Sequence, residues 1–305
     1  MTLKKIILVP AALMAVSLFV LSCRDNSGKE VVSKTVPDRT DLRIMSFNVA
    51  VDNLQDVKGW SSRKTAVYNM LSEEKPTVIG FQEAQAHEIT GMLKECPEYT
   101  FYGLGRDTGV APLTSSEDYS AEETMAVFWI RDSLKAEACG TFWLSQTPSE
   151  VSYGWDASYR RTLTWVHFKH RRTGAEFFVF NTHLDNKGTT ARKESMKLIM
   201  TKMAELNPAG LPTFLMADFN APTSNAIFTD LLEAMYSARD RAVNSESSKM
   251  TYNGYTSAGK SQIDHIFYRG RIYPLAFRVL DKDYGNTYIS DHYPIVCDCY
   301  IKTAN

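Results

Sequence analysis

An α/β fold is predicted, and three observations predict it. Apolar segments of strand length alternate with helix-length segments in both halves of the chain. Two of them, 77–81 and 214–217, are short and apolar throughout, as strands covered on both faces are. Polar and turn-forming clusters separate the segments, but no second linker interrupts them after the first forty residues, so one domain spans 41–305.

The elements follow in order. Residues 42–49 alternate, are rich in strand formers and end near Asn48, with Asp52 in the loop beyond. A helix is expected over 63–71, and Pro76 closes its connection. Strand 77–81 delivers Gln82 and Glu83 at its end, before a helix running to Leu93. Stretches 103–107 and 114–122 read as loops, and 125–130 and 138–144 as strands. Residues 145–160 form a long loop bearing Tyr153, Trp155, Asp156 and Tyr159. A long aromatic loop in a compact domain is more often functional than idle. Strands 161–169 and 177–182 turn at Thr173-Gly174, and the second runs out into Asn181-Thr182-His183-Leu184-Asp185-Asn186. Helix 190–206 has a basic and an apolar face. Strand 214–217 then ends in Asp218-Phe219-Asn220, and Pro222 stops it. Residues two apart on an extended chain share a side, so Asp218 and Asn220 leave together while Phe219 turns into the core. A helix over 225–236, a polar loop-like stretch over 237–260 and a strand over 263–268 with Asp264 planted in it come next. Ser290-Asp291-His292-Tyr293-Pro294 leads into the last strand, 295–300.

Composition narrows the function classes. The chain has 305 residues, 44% hydrophobic and 23% charged, which suits an ordinary globular domain with a sizeable core. A formal net charge of −1 and the lack of a long Lys/Arg run weigh against gripping long nucleic acid mainly by its phosphates. The N-terminus is an address rather than structure. Lys4 and Lys5 precede an apolar run over 6–21 that closes Val20-Leu21-Ser22-Cys23, the layout of an export signal. A cysteine at that point resembles the bacterial lipoprotein signal. It implies removal of 1–22, lipidation of Cys23, a polar tether over 23–40, and an exported protein anchored on the periplasmic face or cell surface. The competing reading, an uncleaved membrane anchor, has a rather short apolar run for a span. Cys96, Cys139, Cys297 and Cys299 show no metal-like spacing and read as buried free thiols.

Several strands end in or carry polar residues that a core would not choose: Asn48, Glu83, Asn181 with His183, Asp218 with Asn220, Asp264, and Asp291 with His292. Each alone is explained by a turn, a cap or a satisfied histidine. Six such sites at the same kind of element end are not. Met45-Ser46-Phe47-Asn48, Gln82-Glu83, Asn181-Thr182-His183, Ala217-Asp218-Phe219-Asn220, Ile263-Asp264 and Ser290-Asp291-His292 stand in the order of the endonuclease/exonuclease/phosphatase superfamily, which the chain resembles over nearly all of 41–305. Residues 142–148 and 154–157 look like a bacterial branch of it. The one visible departure is Ala217, where many members carry Gly.

The resemblance implies a deoxyribonuclease-like four-layer α/β/β/α sandwich of two mixed sheets with outer helices. It also implies Mg²⁺ or Mn²⁺ and hydrolysis of a phosphoester by in-line attack of water. Glu83, Asp291 and Asn48 are the expected ligands of this hard cation, with Asp52 a further candidate. Asp218 is the expected base, or the positioner of a metal-activated water, and Asn220 holds it. His183 and His292 are expected to donate to the phosphate, with Asp264 behind His292 and Glu123 behind His183. Arg161, Asn181, Asn186, Tyr153 and Trp155 are the expected substrate contacts. The expected substrate is a small or lipid-linked phosphoester outside the cytoplasm, handled by a monomer as phosphodiesterase or phosphatase. The alternatives are a nuclease scavenging nucleic acid, using the basic face of helix 190–206, and a non-catalytic binding lipoprotein.

Overall fold

A computed structural model describes residues 22–24, 30–32, 38–52, 58–112 and 119–303. The chain divides into two compact units, 1–37 and 38–305. Of the first, the described part is an antiparallel ribbon pairing Ser22–Arg24 with Glu30–Val32. The apolar leader lies outside the described residues, and of Cys23 only its place in that ribbon is described.

The second unit is built on two mixed sheets. The seven-stranded sheet contains β1 (Arg39–Asn48), β2 (Val78–Gln82), β3 (Tyr99–Tyr102), β4 (Val127–Ile130), β10 (Ile272–Val279), β11 (Ile295–Lys302) and the short Asn244–Ser245. Its spatial order among the described residues is Asn244–Ser245, β10, β11, β1, β2, β4, β3. The six-stranded sheet runs Tyr236–Ser237, β9 (Asp264–Arg269), β8 (Thr213–Asp218), β7 (Glu176–His183), β6 (Thr162–His170), β5 (Leu134–Trp143). Each sheet has one long parallel pair near its middle, β1 with β2 and β7 with β8. A helix crosses over each: α1 (Trp60–Glu74) on the first and α3 (Thr189–Leu206) on the second. Such crossovers leave both carboxyl strand ends at one edge, where ligands bind in open α/β sheets.

Side-chain parity sorts the core into three layers. Ile44, Val78, Phe177, Val179, Phe214, Met216 and Ile266 point inward and fill the space between the sheets. Met45, Phe47, Ile79 and Phe81 point outward, onto α1 and α2 (Ala86–Glu95). Phe178, Phe180, Leu215 and Ala217 meet α3 and the 226–234 segment on the other flank. The result is helix, sheet, sheet, helix, as expected. At the open end of the sandwich the inward positions turn polar: Asn48, Gln82, Asn181, His183, Asp218 and Asp264 have the same parity as the core residues two and four before or after them. Gly80 serves this packing, because a Cβ there would lie 2.7 Å from Asn181 Oδ1, which reaches over from the facing sheet.

Several elements differ from expectation. The helix over 225–236 is a 3-10 turn, Ala226–Phe228, followed by α4 (Thr229–Ala234). The loop-like 237–260 stretch contains α5 (Ala238–Arg241) and Asn244–Ser245. Strands β3 and β10 are not foreseen. β10 carries Pro274 and a register irregularity, tolerable because only the short Asn244–Ser245 pairs on its far side. Cys96, Cys297 and Cys299 are buried thiols, but Cys139 is exposed on the edge strand β5.

Candidate active site

The ends of β1, β2, β7, β8 and β9 converge with the 290–292 segment on one cleft of about 380 Å³. Glu83, Glu123, Arg161, His183, Asn186, Asp218, Asn220, Asp291 and His292 line it, together with Val51, Arg106, Tyr159, Tyr252 and Ile263. Register explains part of this meeting: His183 pairs with Asp218 across β7 and β8, and Asp218 with Asp264 across β8 and β9. Phe219 turns away into Phe228 and Phe267, as the alternation requires. Glu83 and Asn220 are held at φ of 61° and 51°. Left-handed backbone at residues other than glycine costs about 1–3 kcal/mol each, and two instances fall on the site.

Asp218 is buried, and both its oxygens are held. Oδ1 accepts from Asn220 N at 2.9 Å and Oδ2 from Asn48 Nδ2 at 3.0 Å. Burial, with Asp264 beside it and only partly offset by His292, pushes the Asp218 carboxyl up to about 7. The imidazoles on either side are in opposite states. His292 bonds through Nδ1 to Asp264 Oδ2 at 2.9 Å, and its Nε2 lies 3.6 Å from Asp218 Oδ2. Burial would lower it, but Asp264 and Asp218 raise it to about 10, so it is a cation. His183 is driven well below the usual range by burial and by Arg161, His292 and Arg106, so it is neutral. Its tautomer follows from Asn220, whose Nδ2 also donates to Leu184 O and is therefore the nitrogen. At 2.9 Å that Nδ2 donates to His183 Nε2, so the ring proton sits on Nδ1. Nδ1 has no hydrogen-bond partner and lies 3.8 Å from Glu83 Oε1.

Several residues do other work than expected. Glu123 is not behind His183: it pairs with Arg106, side chain to side chain at 2.5 Å and through Arg106 N to its own carbonyl. The full charge of Arg106 outcompetes a neutral imidazole for it. Asn48 stands between Glu83 and Asp218 with its amide nitrogen, while its oxygen accepts from Ala50 N, so it spaces the carboxylates. Asp52 takes His87 at 3.0 Å and Trp60 N at the start of α1, a helix-capping role. Asn181 lies beneath the cleft, tying Phe81 O, Ala126 O and Gln82 across the two sheets. Tyr153 stacks with Arg160 and stays outside the cleft, as does Trp155. Asp156 pins that part of the loop to the first amides of α3. Asp185 Oδ2 accepts from Ser158 N, Tyr159 N and Arg161 Nε, which turns Tyr159 into the cleft instead. Arg106, Tyr159 and Tyr252 are the polar and aromatic lining residues that sequence reasoning missed. Tyr159 stood in the aromatic loop; nothing marked Arg106 or Tyr252.

The donor set fits a hard divalent cation. Burial and Glu83 push Asp291 up, and Asp218 is raised as well, so the acids at this end outnumber the cations that face them. Two groupings are available: Glu83 with Asp291, which line the cleft together and whose charges act on each other, or Asp218, Asp264 and His292, whose ligand atoms all lie within 4.8 Å of one another. The second would have to give up the Asp264–His292 hydrogen bond.

Residues 45–292 match the model of the Endonuclease/Exonuclease/phosphatase family. An endonuclease/exonuclease/phosphatase family protein of Bacteroides thetaiotaomicron superimposes with a TM-score of 0.80 at 29% identity, covering 87% of this chain and all of that one (100%). A mannosyl-6-phosphatase of Bacteroides thetaiotaomicron VPI-5482 does so with a TM-score of 0.78 at 30% identity, over 85% of this chain and 99% of that one. An uncharacterized protein, L388, of Acanthamoeba polyphaga mimivirus is 22% identical over 280 residues, 84% of this chain and 98% of the viral protein.

Proposed function

The chain belongs to the Endonuclease/Exonuclease/phosphatase family, whose members are phosphoester hydrolases, and on that premise we propose that it is a Mg²⁺- or Mn²⁺-dependent phosphatase of a small or lipid-linked phosphoester. The observation that carries this is one cleft holding a raised carboxyl, Asp218, between a cationic and a neutral imidazole, walled by Tyr159 and Tyr252. Likeness to a mannosyl-6-phosphatase supports the monoester arm.

Glu83 and Asp291 would hold the cation, which when bound offsets charge on the phosphoryl oxygens and polarises them. Asp218, with a carboxyl near 7, takes the proton of the attacking water, and Asn220 N and Asn48 Nδ2 keep its oxygens in place. His292 donates from Nε2 as a cation, its other nitrogen spent on Asp264. His183 stays neutral beside Asp218: its Nε2 accepts from Asn220, and its buried Nδ1–H faces Glu83 at 3.8 Å, so it positions those groups. Arg161 clamps the phosphate. Its guanidinium is bound through Nε to Asp185 at 3.3 Å, and no described residue accepts from its terminal nitrogens.

The nuclease alternative leaned on the basic face of α3. Lys197 and Lys202 there pair with Glu194 and Glu205, and Arg192 donates to Asp185 O, which supports a small ester over a strand of nucleic acid. We extend the proposal to the N-terminus: Cys23 is lipidated, and the enzyme works as a monomer at the membrane surface, outside the cytoplasm. Hydrolysis of phosphomonoesters (orthophosphate released), phosphodiesters (alcohol released) and nucleic acids (strands shortened) with Mg²⁺ or Mn²⁺, against an Asp218→Asn control, tests the reaction. Release from small monoesters is expected. Cleavage of nucleic acid alone, or of nothing, overturns it. Labelling by palmitate that Cys23→Ala abolishes is the matching test of the anchor.

A further inference from the structure

One buried cation lines no part of the cleft, yet it grips the backbone that carries two of the cleft's carboxylates. Arg63, in the first turn of α1, is 1% exposed, and its donors are given to main-chain carbonyls. Nε donates to Lys58 O at 2.6 Å and Nη2 to Ala50 O at 2.9 Å. Nη1 donates both to Val49 O and, at 2.9 Å, to Ile289 O. Glu88 Oε1 lies 3.9 Å from Nη2, beyond hydrogen-bond reach, and the other Glu88 oxygen accepts from Gln85 N. An arginine whose fork meets four carbonyls, with no carboxylate in hydrogen-bond contact, is arranging backbone.

That backbone carries the expected cation ligands. The 48–51 segment cradles Glu83: Asn48 Nδ2 donates to Oε1 at 2.9 Å and Val51 N to Oε2 at 2.8 Å. The cradle passes through Ala50 at φ 63°, a left-handed conformation that a residue other than glycine keeps only where its surroundings impose it. Arg63 imposes it by holding the carbonyls of Val49 and Ala50 together. The same Nη1 reaches Ile289 O, two residues before Asp291 and 226 positions from Arg63, and the Arg63 charge acts on the Asp291 carboxyl. One planar fork thus ties the Glu83 cradle to the segment that bears Asp291. The two acids repel each other, so their separation has to be set by the groups behind them. Resting on the assignment of Glu83 and Asp291 as cation ligands, we infer that Arg63 is a positioning residue of the metal centre, which fixes the spacing of these two carboxylates and through it the affinity for the divalent cation. Lysine keeps the charge, but a point donor on a flexible stem does not span four carbonyls.

The test is Mn²⁺ binding by calorimetry, without substrate, to the wild type, Arg63→Lys, Glu83→Gln and Glu74→Gln. Partners behind metal ligands carry about 10- to 100-fold in affinity, so Arg63→Lys is expected to raise the Kd for Mn²⁺ by about tenfold or more with the charge retained. Glu74→Gln, which removes an arginine partner on the scaffold side, is expected to leave Kd within about twofold, so a general loss of stability is not what is read. Should Arg63→Lys fail to fold, the comparison is made in an Ala50→Gly chain, where glycine takes the left-handed backbone without strain. There the lysine is expected to raise Kd by about threefold or more. Arg63→Lys within about twofold of its parent, or weakened no more than Glu74→Gln, overturns the positioning role, and loss of binding in Glu83→Gln then still upholds the metal site. A wild type that binds no Mn²⁺, or a Glu83→Gln chain that binds it as well as the wild type, overturns both.

Discussion

Two clusters of carboxylates in this fold carry opposite electrostatics. On the helix-covered side of the seven-stranded sheet, Glu74 at the end of α1 meets Arg278 at 2.8 Å and Tyr284 at 3.1 Å. Arg43 also reaches it and ties it to Asp298. Burial alone would raise the Glu74 carboxyl, but Arg278, Tyr284 and Arg43 bring it below its usual value. At the open end of the sandwich, burial and neighbouring acids push Asp218 and Asp291 up instead. The residue type is the same and the sign is reversed. A carboxylate closed off by arginines belongs to the scaffold, whereas one left short of positive charge is ready for a proton or a metal ion.

The largest expected effect tests the cleft side of that contrast. Asp218→Asn should lower kcat by about 10²- to 10⁴-fold, the usual weight of a positioned general base. Its melting temperature should hold or rise, since a buried, destabilised carboxyl is gone. A chain that keeps its rate would break the comparison at once. Next come the imidazoles. Charge-assisted hydrogen bonds are roughly twice as strong as neutral ones, so His292→Ala should cost more kcat/KM than His183→Ala. Equal losses would mean that Asp264 does not distinguish the two rings.

A third test needs no substrate. Mn²⁺ or Mg²⁺ at about a hundred times its Kd should stabilise the wild type by about 2.7 kcal/mol, seen as a rise in melting temperature. Glu83→Gln or Asp291→Asn should remove most of that rise, and Glu74→Gln should leave it intact. Glu74→Gln in turn should cost about 1–3 kcal/mol in chemical denaturation, as a lost partner to a charged group does, with kcat unchanged. The smallest effect is in acid. Because the folded Glu74 carboxyl lies below its unfolded value, its stabilisation is complete above the unfolded pKa. It is lost as pH falls through the folded pKa, so the wild type should lose stability there and Glu74→Gln should lose less.

Much of the site was legible because strands impose a period of two. Asp218 and Asn220 on one side and Phe219 on the other could be placed from alternation alone; the cleft holds the first two, and Phe219 packs on Phe228 in the helix-side layer. Glu83, His183, Asp291 and His292 were legible as polar residues at the ends of apolar strands. Partners across the sandwich were not. Glu123 looked like the backing for His183, but Arg106, from a loop with no pattern, takes it. Trp155 and Tyr153 were the conspicuous aromatics of their loop, but Asp156 and Asp185 decide which ring faces the cleft, and they choose Tyr159. Tyr252 came from a polar stretch that reads as plain loop, yet it packs on His292 at 5.0 Å between ring centroids.

The sequence by itself determined the alternating elements, the inward and outward faces of each strand, and the acids, amides and imidazoles placed at the strand ends. Local backbone geometry sets all of these, and it repeats over a few residues. Only the tertiary structure decided which carboxylates are neutralised and which are not, which imidazole is charged, and which tyrosine walls the cleft. Those depend on charges and carbonyls brought within a few ångströms from segments far apart in the chain, where burial makes each pairing a matter of competition that no local pattern records.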